Sequence, residues 1–181
     1  WVKWLWLLGV VFHWGMFFTL LRHFRFFTVN VPGWVGAIEA VDGVFMVDLH
    51  PIYLTGFLMV AGLCGLLGRR LYIKKVRYIS LLNDYFPLVL LLGIGLTGMN
   101  LRYLYHVDID AVRALMVSLV TFHPAIPETG IPPLFMTHFA LVCTLLIYFP
   151  MSKLRHAVCV FRSPPRNMVT DSRAKRDRNP W

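Results

Sequence analysis

Two histidines near the start of the chain, His13 and His23, and two near its end, His138 and His156, stand in stretches otherwise apolar enough to live in lipid: FHWGMFFTLLRHFRFF (12–27) and PLFMTHFALVCTLLIYFPMSKLRH (133–156). An ionisable side chain at membrane depth is costly and by default marks a function. The bland account of any one of them is a histidine hydrogen-bonded to a neighbouring helix. Four of them on two helices admit a sharper chemistry. Neutral imidazoles facing one another in pairs are what a six-coordinate haem requires, one nitrogen on each side of the iron, with a helical bundle as the dry slot for the porphyrin.

The elements that must position these residues are membrane helices. The chain has 181 residues, 57% of them hydrophobic, with a mean hydropathy of +0.62, and its apolar residues come in long runs instead of the patterned stripes of a water-soluble domain. Four runs can cross a hydrocarbon layer of about 30 Å, which takes roughly 20 helical residues: 1–28, 50–68, 80–105 and 133–161. Strands are not expected, because an open sheet edge cannot be satisfied in lipid. The expected fold is an all-α integral membrane protein, a bundle of four transmembrane helices over 1–161 followed by a basic tail over 162–181. A further helix is expected to precede Trp1.

The basic residues set the orientation. Residues 29–49 hold Glu39, Asp42 and Asp48 but no Lys or Arg, whereas Arg69, Arg70, Lys74, Lys75 and Arg77 crowd the next connection. That connection and the tail, with Arg162, Arg166, Arg173, Lys175, Arg176 and Arg178, are therefore expected on the cytoplasmic side of the cytoplasmic (inner) membrane. The formal net charge of +9 follows from this distribution, so the natural partner is the lipid membrane and not nucleic acid. In the third connection, VDIDAVRALMVSLVTF (107–122) has helical spacing behind Asp108, a capping residue, and predicts a short amphipathic helix on the outer interface; HPAIPETGIPP (123–133) ends it. SPPRN (163–167) reads as an extended, solvated segment suited to docking on a cytoplasmic partner. Cys64, Cys143 and Cys159 have no metal or redox spacing and read as small apolar packers.

With the first helix running outward and the last inward, His23 and His138 come level near the outer side, and His13 and His156 near the cytoplasmic side. The spacings do not match, being ten residues on the first helix and eighteen on the last. The difference is about 12 Å at the helical rise of ~1.5 Å per residue. Tilt and a kink at Pro150 are expected to absorb part of it, and eighteen residues, five complete turns, put His138 and His156 on one helix face.

These residues carry a resemblance. The histidine spacing resembles that of the gamma-subunit family of respiratory nitrate reductase. RHFRFF, YISLLNDYFPLVLLLGIGLTGMNLRY, VDIDAVRALMVSLVTF, the His138–His156 stretch and VFRSPPRNMVTDSRAKRDRNPW are more similar still to the DsrM-type members of that family, the membrane cytochromes b of the sulfite-reduction-associated Dsr electron-transfer complex. The resemblance covers nearly the whole chain. It implies two b haems, an outer one on His23 and His138 and an inner one on His13 and His156. It also implies exchange with a menaquinone or other quinone at the outer side, and with a cytoplasmic iron–sulfur subunit related to heterodisulfide reductase. Further implied partners are a periplasmic multihaem cytochrome c, a ferredoxin-like subunit and a second membrane subunit. The sulfur substrate would have no catalytic site in this chain.

Other residues are weighed in that light. Asp48 and His50, in DLHPIY at the start of the second helix, are candidates for a quinone site, which needs a proton acceptor and a hydrogen-bond partner; a histidine before a proline is also an ordinary helix-start residue. A lysine of the nitrate reductase quinol pocket has no counterpart found here. Arg22 and Arg25 flank His23 where haem propionates emerge, and pairing with a propionate or snorkelling to headgroups would suit either. His106 and His123 are expected to be solvated. Gly93, Gly95 and Gly98 let a neighbouring helix or a porphyrin edge approach the backbone, helix packing being the expectation, and Asp84 is expected to favour a helix N-terminus, with a proton route as the weaker alternative. The rival readings are a nitrate or heterodisulfide reductase membrane subunit and, from a different class, a haem-free anchor or a proton relay whose histidines line a wet path.

Overall fold

The computed structural model describes residues 2–47, 50–126 and 130–158. Asp48, Cys159 and the tail lie outside them. Four helices are long and apolar enough to cross a membrane: α1 (Val2–His23), α3 (Leu54–Tyr72), α5 (Leu82–Tyr103) and α7 (Pro133–Tyr148). Shorter helices fill the connections: α2 (Gly33–Asp42), α4 (Lys74–Ile79) and α6 (Ile109–Val120). The chain is thus an all-α, multi-pass membrane protein.

Two local features depart from expectation in the first connection. Residues 33–42 are helical, and Phe45–Val47 pairs with His50–Ile52 in an antiparallel hairpin, Val47 opposite His50. The strands lie between spans and not within one, where the argument against them applied. Because His50, Pro51 and Ile52 are spent on the hairpin, α3 starts four residues later than expected and runs on through Arg69 and Arg70.

The last span departs more consequentially. A continuous helix to residue 161 was expected, but α7 ends at Tyr148 and gives way to two 3₁₀ turns, Phe149–Met151 and Lys153–Arg155, before helical geometry resumes at His156. Pro150 has no N–H to continue the ladder. Ser152 is extended (φ −96°, ψ 168°), and its hydroxyl caps the next turn by accepting the Leu154 N–H at 3.1 Å. His138 and His156 therefore do not share the face of one helix.

The long helices form a row in which α1 packs on α3, α3 on α5 and α5 on α7, while α1 and α7, at its two ends, are not among the closely packed pairs. The α1–α3 contact is tight because it is built on small residues: a Cβ at Gly15 would lie 2.7 Å from the Thr55 carbonyl oxygen, and one at Gly62 would lie 2.9 Å from Phe12 Cβ. Phe12, Met59, Leu63 and Leu91 form the buried centre of α1, α3 and α5, joined by Leu145 and Leu154. A second cluster, Leu101, Val112, Met116 and Phe135, seats α6 across the ends of α5 and α7. As expected, Asp108 caps α6, its Oδ1 accepting the N–H of Asp110 at 2.9 Å and of Ala111 at 3.3 Å.

Candidate functional site: two histidine levels between α1 and α7

α1 carries His13 and His23, α7 carries His138, and His156 follows the two 3₁₀ turns after α7. At one end of the bundle His13 of α1 faces His156, their ring centroids 6.0 Å apart and their planes inclined by 74°. Two imidazoles bound on opposite sides of one first-row metal ion through bonds of about 2 Å stand roughly 6 Å apart centre to centre. His156 reaches this position beyond the break at Pro150 and the two 3₁₀ turns that follow it.

At the other end are His23, the last residue of α1, and His138, in the second turn of α7. Both are half-buried, whereas the rings of His13 and His156 are exposed in the protein alone. Gly98 of α5 makes room for His138: a Cβ there would lie 3.2 Å from His138 Cε1. Gly93 and Gly95 meet Leu141 and Val60 in the same way, so all three glycines serve contacts between helices.

All four rings are held by the same nitrogen. His13 Nδ1 lies 2.6 Å from the Gly9 carbonyl, His23 Nδ1 2.6 Å from that of Thr19, and His156 Nδ1 2.8 Å from that of Lys153. A carbonyl can only accept, so each neutral ring carries its proton on Nδ1 and turns the Nε2 lone pair outward. His138 Nδ1 lies 2.9 Å from Thr97 Oγ1, whose own proton is directed to the Gly93 carbonyl at 2.8 Å. Thr97 therefore accepts as well. Fixing one imidazole nitrogen so that the other can ligate is how proteins orient metal-binding histidines. The side-chain hydrogen bonds given above for these four rings all run through Nδ1. Four imidazoles, each anchored through Nδ1 and turning Nε2 away from its anchor, are a donor set of the kind a haem iron takes.

The arginines are placed otherwise than expected. Arg22, buried, forms an ion pair with buried Asp42 at the end of α2, and its Nη2 donates to Thr55 Oγ1 at 3.1 Å. Asp42 accepts the Thr55 N–H at 2.9 Å and hydroxyl at 2.5 Å, capping α3 from a distant part of the chain. Arg25 donates to Glu39 at 2.6 Å. Both guanidinium groups thus have carboxylates within the chain, and a propionate would have to share them. Composition had suggested only that acids populate this connection; the signal for their role was Arg22 itself, a cation inside a span that needs a counter-ion.

Around this pair lies a polar cluster that spacing alone did not indicate. The Tyr53 ring sits between two guanidinium groups, with Arg22 Cζ 4.0 Å and Arg102 Cζ 4.9 Å from its centroid. Its N–H donates to the Tyr103 hydroxyl at 2.9 Å. Burial, with Glu39 adding to it, pushes the Tyr53 phenol above its usual range, so it is a neutral donor. The backbone of His50 lies in the hairpin leading into α3, on this same end of the bundle; Asp48 lies outside the described residues. His106 and His123 lie in the α5–α6 and α6–α7 connections, both exposed; His123 Nδ1 donates to the Thr121 carbonyl at 2.7 Å.

Asp84 opens α5, where its Oδ2 accepts the Leu81 N–H at 3.0 Å, and its Oδ1 receives Lys153 Nζ at 2.7 Å. The helix-terminus role expected of it is present, with an ion pair to the segment after α7 in addition.

A nitrate reductase gamma subunit family model matches residues 2–168. Two curated relatives are described as the Hdr-like menaquinol oxidoreductase cytochrome b-like subunit: one from Archaeoglobus fulgidus, 45% identical over 99% of this chain and 55% of its own length, and one from Archaeoglobus profundus, 39% identical over 99% of this chain and 54% of its own. The chain spans about half the length of these relatives. No solved structure matches it.

Proposed function

We propose that this chain, which belongs to the nitrate reductase gamma subunit family, is a dihaem cytochrome b that carries electrons across a membrane between a quinone pool and a cytoplasmic iron–sulfur subunit. The observation that supports this best is a set of four histidines, His13 and His23 on α1, His138 on α7 and His156 beyond it, each ring held through Nδ1, with His13 and His156 facing one another. Bound there, b haems supply one-electron exchange, and the chain supplies ligands, spacing and dielectric. His23 and His138 hold the outer haem, His13 and His156 the inner one. Thr19, Thr97, Gly9 and Lys153 orient the rings.

The printed descriptions of the Archaeoglobus relatives support menaquinol as the quinone and an Hdr-like complex as the assembly. In our reading Asp48 and His50 serve the quinone at the outer side, and Tyr53, at the head of α3, provides a neutral hydrogen-bond donor. The periplasmic multihaem cytochrome c, ferredoxin-like subunit and second membrane subunit of a sulfur-metabolising complex follow from the DsrM-type resemblance. The alternative is the membrane subunit of a nitrate or heterodisulfide reductase, and the two part on which cytoplasmic subunit co-purifies. Truncation after Arg162 is expected to release that subunit with both haems retained; its retention would remove the docking role of the tail.

Pyridine haemochrome quantification on the purified protein tests the central reading. Two b haems per chain are expected, with one lost in His138→Ala and the other in His156→Ala. A chain that folds in membranes without haem would be an anchor or a proton relay instead.

A further inference from the structure

Among the described residues Arg102, near the end of α5, is a cation without a carboxylate partner. At this end of the bundle Arg22 has Asp42, Arg25 has Glu39 and Arg113 has Asp110. Arg102 has no carboxylate among the described residues; its guanidinium rests against the Tyr53 ring, and its Nε is buried without a hydrogen-bond partner. Guanidinium stays charged at any accessible pH, and a buried donor left unmet costs free energy, so the arrangement is incomplete as it stands. The imbalance is local as well, since Arg22 and Arg102 share Tyr53, and among the described residues Asp42 is the one carboxylate bonded to the group.

The position of Arg102 says what kind of anion completes it. It lies four residues beyond Gly98, one turn or about 6 Å along the helix and on nearly the same face. Gly98 is the residue against which the His138 ring packs. A fork of N–H donors therefore stands one turn outward of a proposed ligand of the outer haem, on the side where the spans end. A planar carboxylate matches that fork.

We propose that Arg102 binds a propionate carboxylate of the outer haem, a role that rests on the dihaem reading above. The phosphate of a lipid headgroup offers similar chemistry from another source, and the test separates them. A guanidinium paired with the propionate offsets its negative charge near the iron. Removing it leaves that charge to favour the oxidised haem, whereas losing a lipid contact leaves the haem unaffected.

The experiment is a potentiometric titration of the purified two-haem protein, followed optically, in wild type, Arg102→Gln, Arg102→Lys and, as a control for charge at the same end, Arg113→Gln. The outer haem is identified as the component missing from His138→Ala. In R102Q its midpoint is expected to fall while that of the inner haem holds; R102K is expected to recover much of the fall, and R113Q to show none. Unchanged outer midpoints in R102Q, or equal falls in R102Q and R113Q, would overturn the proposal. If R102Q folds poorly, Arg102→Met, which keeps the length of the side chain without its charge, carries the same decision: a fall confined to the outer haem supports the proposal, and an unchanged outer midpoint overturns it. Absence of haem from the wild type would instead defeat the dihaem reading itself.

Discussion

The ammonium of Lys153 lies 2.7 Å from the carboxylate of Asp84, sixty-nine residues earlier in the chain, while the carbonyl of the same lysine receives Nδ1 of His156 at 2.8 Å. One residue thus ties the broken end of the last span to the start of α5 and sets the orientation of a proposed inner ligand. Asp84→Asn weakens the tie. Lys153 is largely exposed, so the loss is that of a surface pair, a few tenths to about 1 kcal/mol, or up to roughly fivefold in affinity. Reconstitution of the haem-free protein should show a loss of that size for the inner haem and none for the outer, with Lys153→Arg close to wild type.

Thr97→Val keeps the shape of the side chain but removes the acceptor of His138 Nδ1. Losing such an outer partner of a ligating histidine costs about 10- to 100-fold in affinity or activity. Haem stoichiometry after dilution should show the outer haem depleted first, and Thr97→Ser should hold it.

Gly98→Ala puts a Cβ 3.2 Å from His138 Cε1, closer than an ordinary contact, and Gly98→Val adds two methyls with nowhere to go. The alanine variant should perturb the spectrum of the outer haem alone, and the valine variant should lose that haem. Gly93, whose Cβ position is 3.6 Å from Leu141, should accept alanine with both haems intact.

Asp42→Ala leaves buried Arg22 without its carboxylate and removes the acceptor at the head of α3. Breaking a buried pair from one side costs about 3–5 kcal/mol, whereas replacing both partners by apolar residues is often neutral. Thermal denaturation in a fixed detergent should show a large drop for Asp42→Ala and a much smaller one for Arg22→Met combined with Asp42→Leu.

The spans were legible because their signal is additive: about twenty apolar residues in a row suffice, whatever their neighbours. The α6 cap was legible because Asp108 acts on its own next turn. What was missed depends on contacts between distant parts of the chain. Pro150 announces a kink, but the sequence does not say that Ser152 will start a new turn and carry His156 off the face of His138. Arg22 announces a need for a counter-ion but not that α2 will return Asp42 to it across twenty residues. The hairpin at 45–52 was overlooked because Phe45, Met46 and the apolar residues after His50 read equally well as the approach to a helix.

In the proposed ligation each level takes one histidine from the first span and one from α7 or the turns that follow it. A chain interrupted anywhere between them would carry half of each ligand set and could retain neither porphyrin. Cofactor capture would then report that translation and insertion had run to the end, and a truncated product would be recognisable in the membrane by its lack of colour.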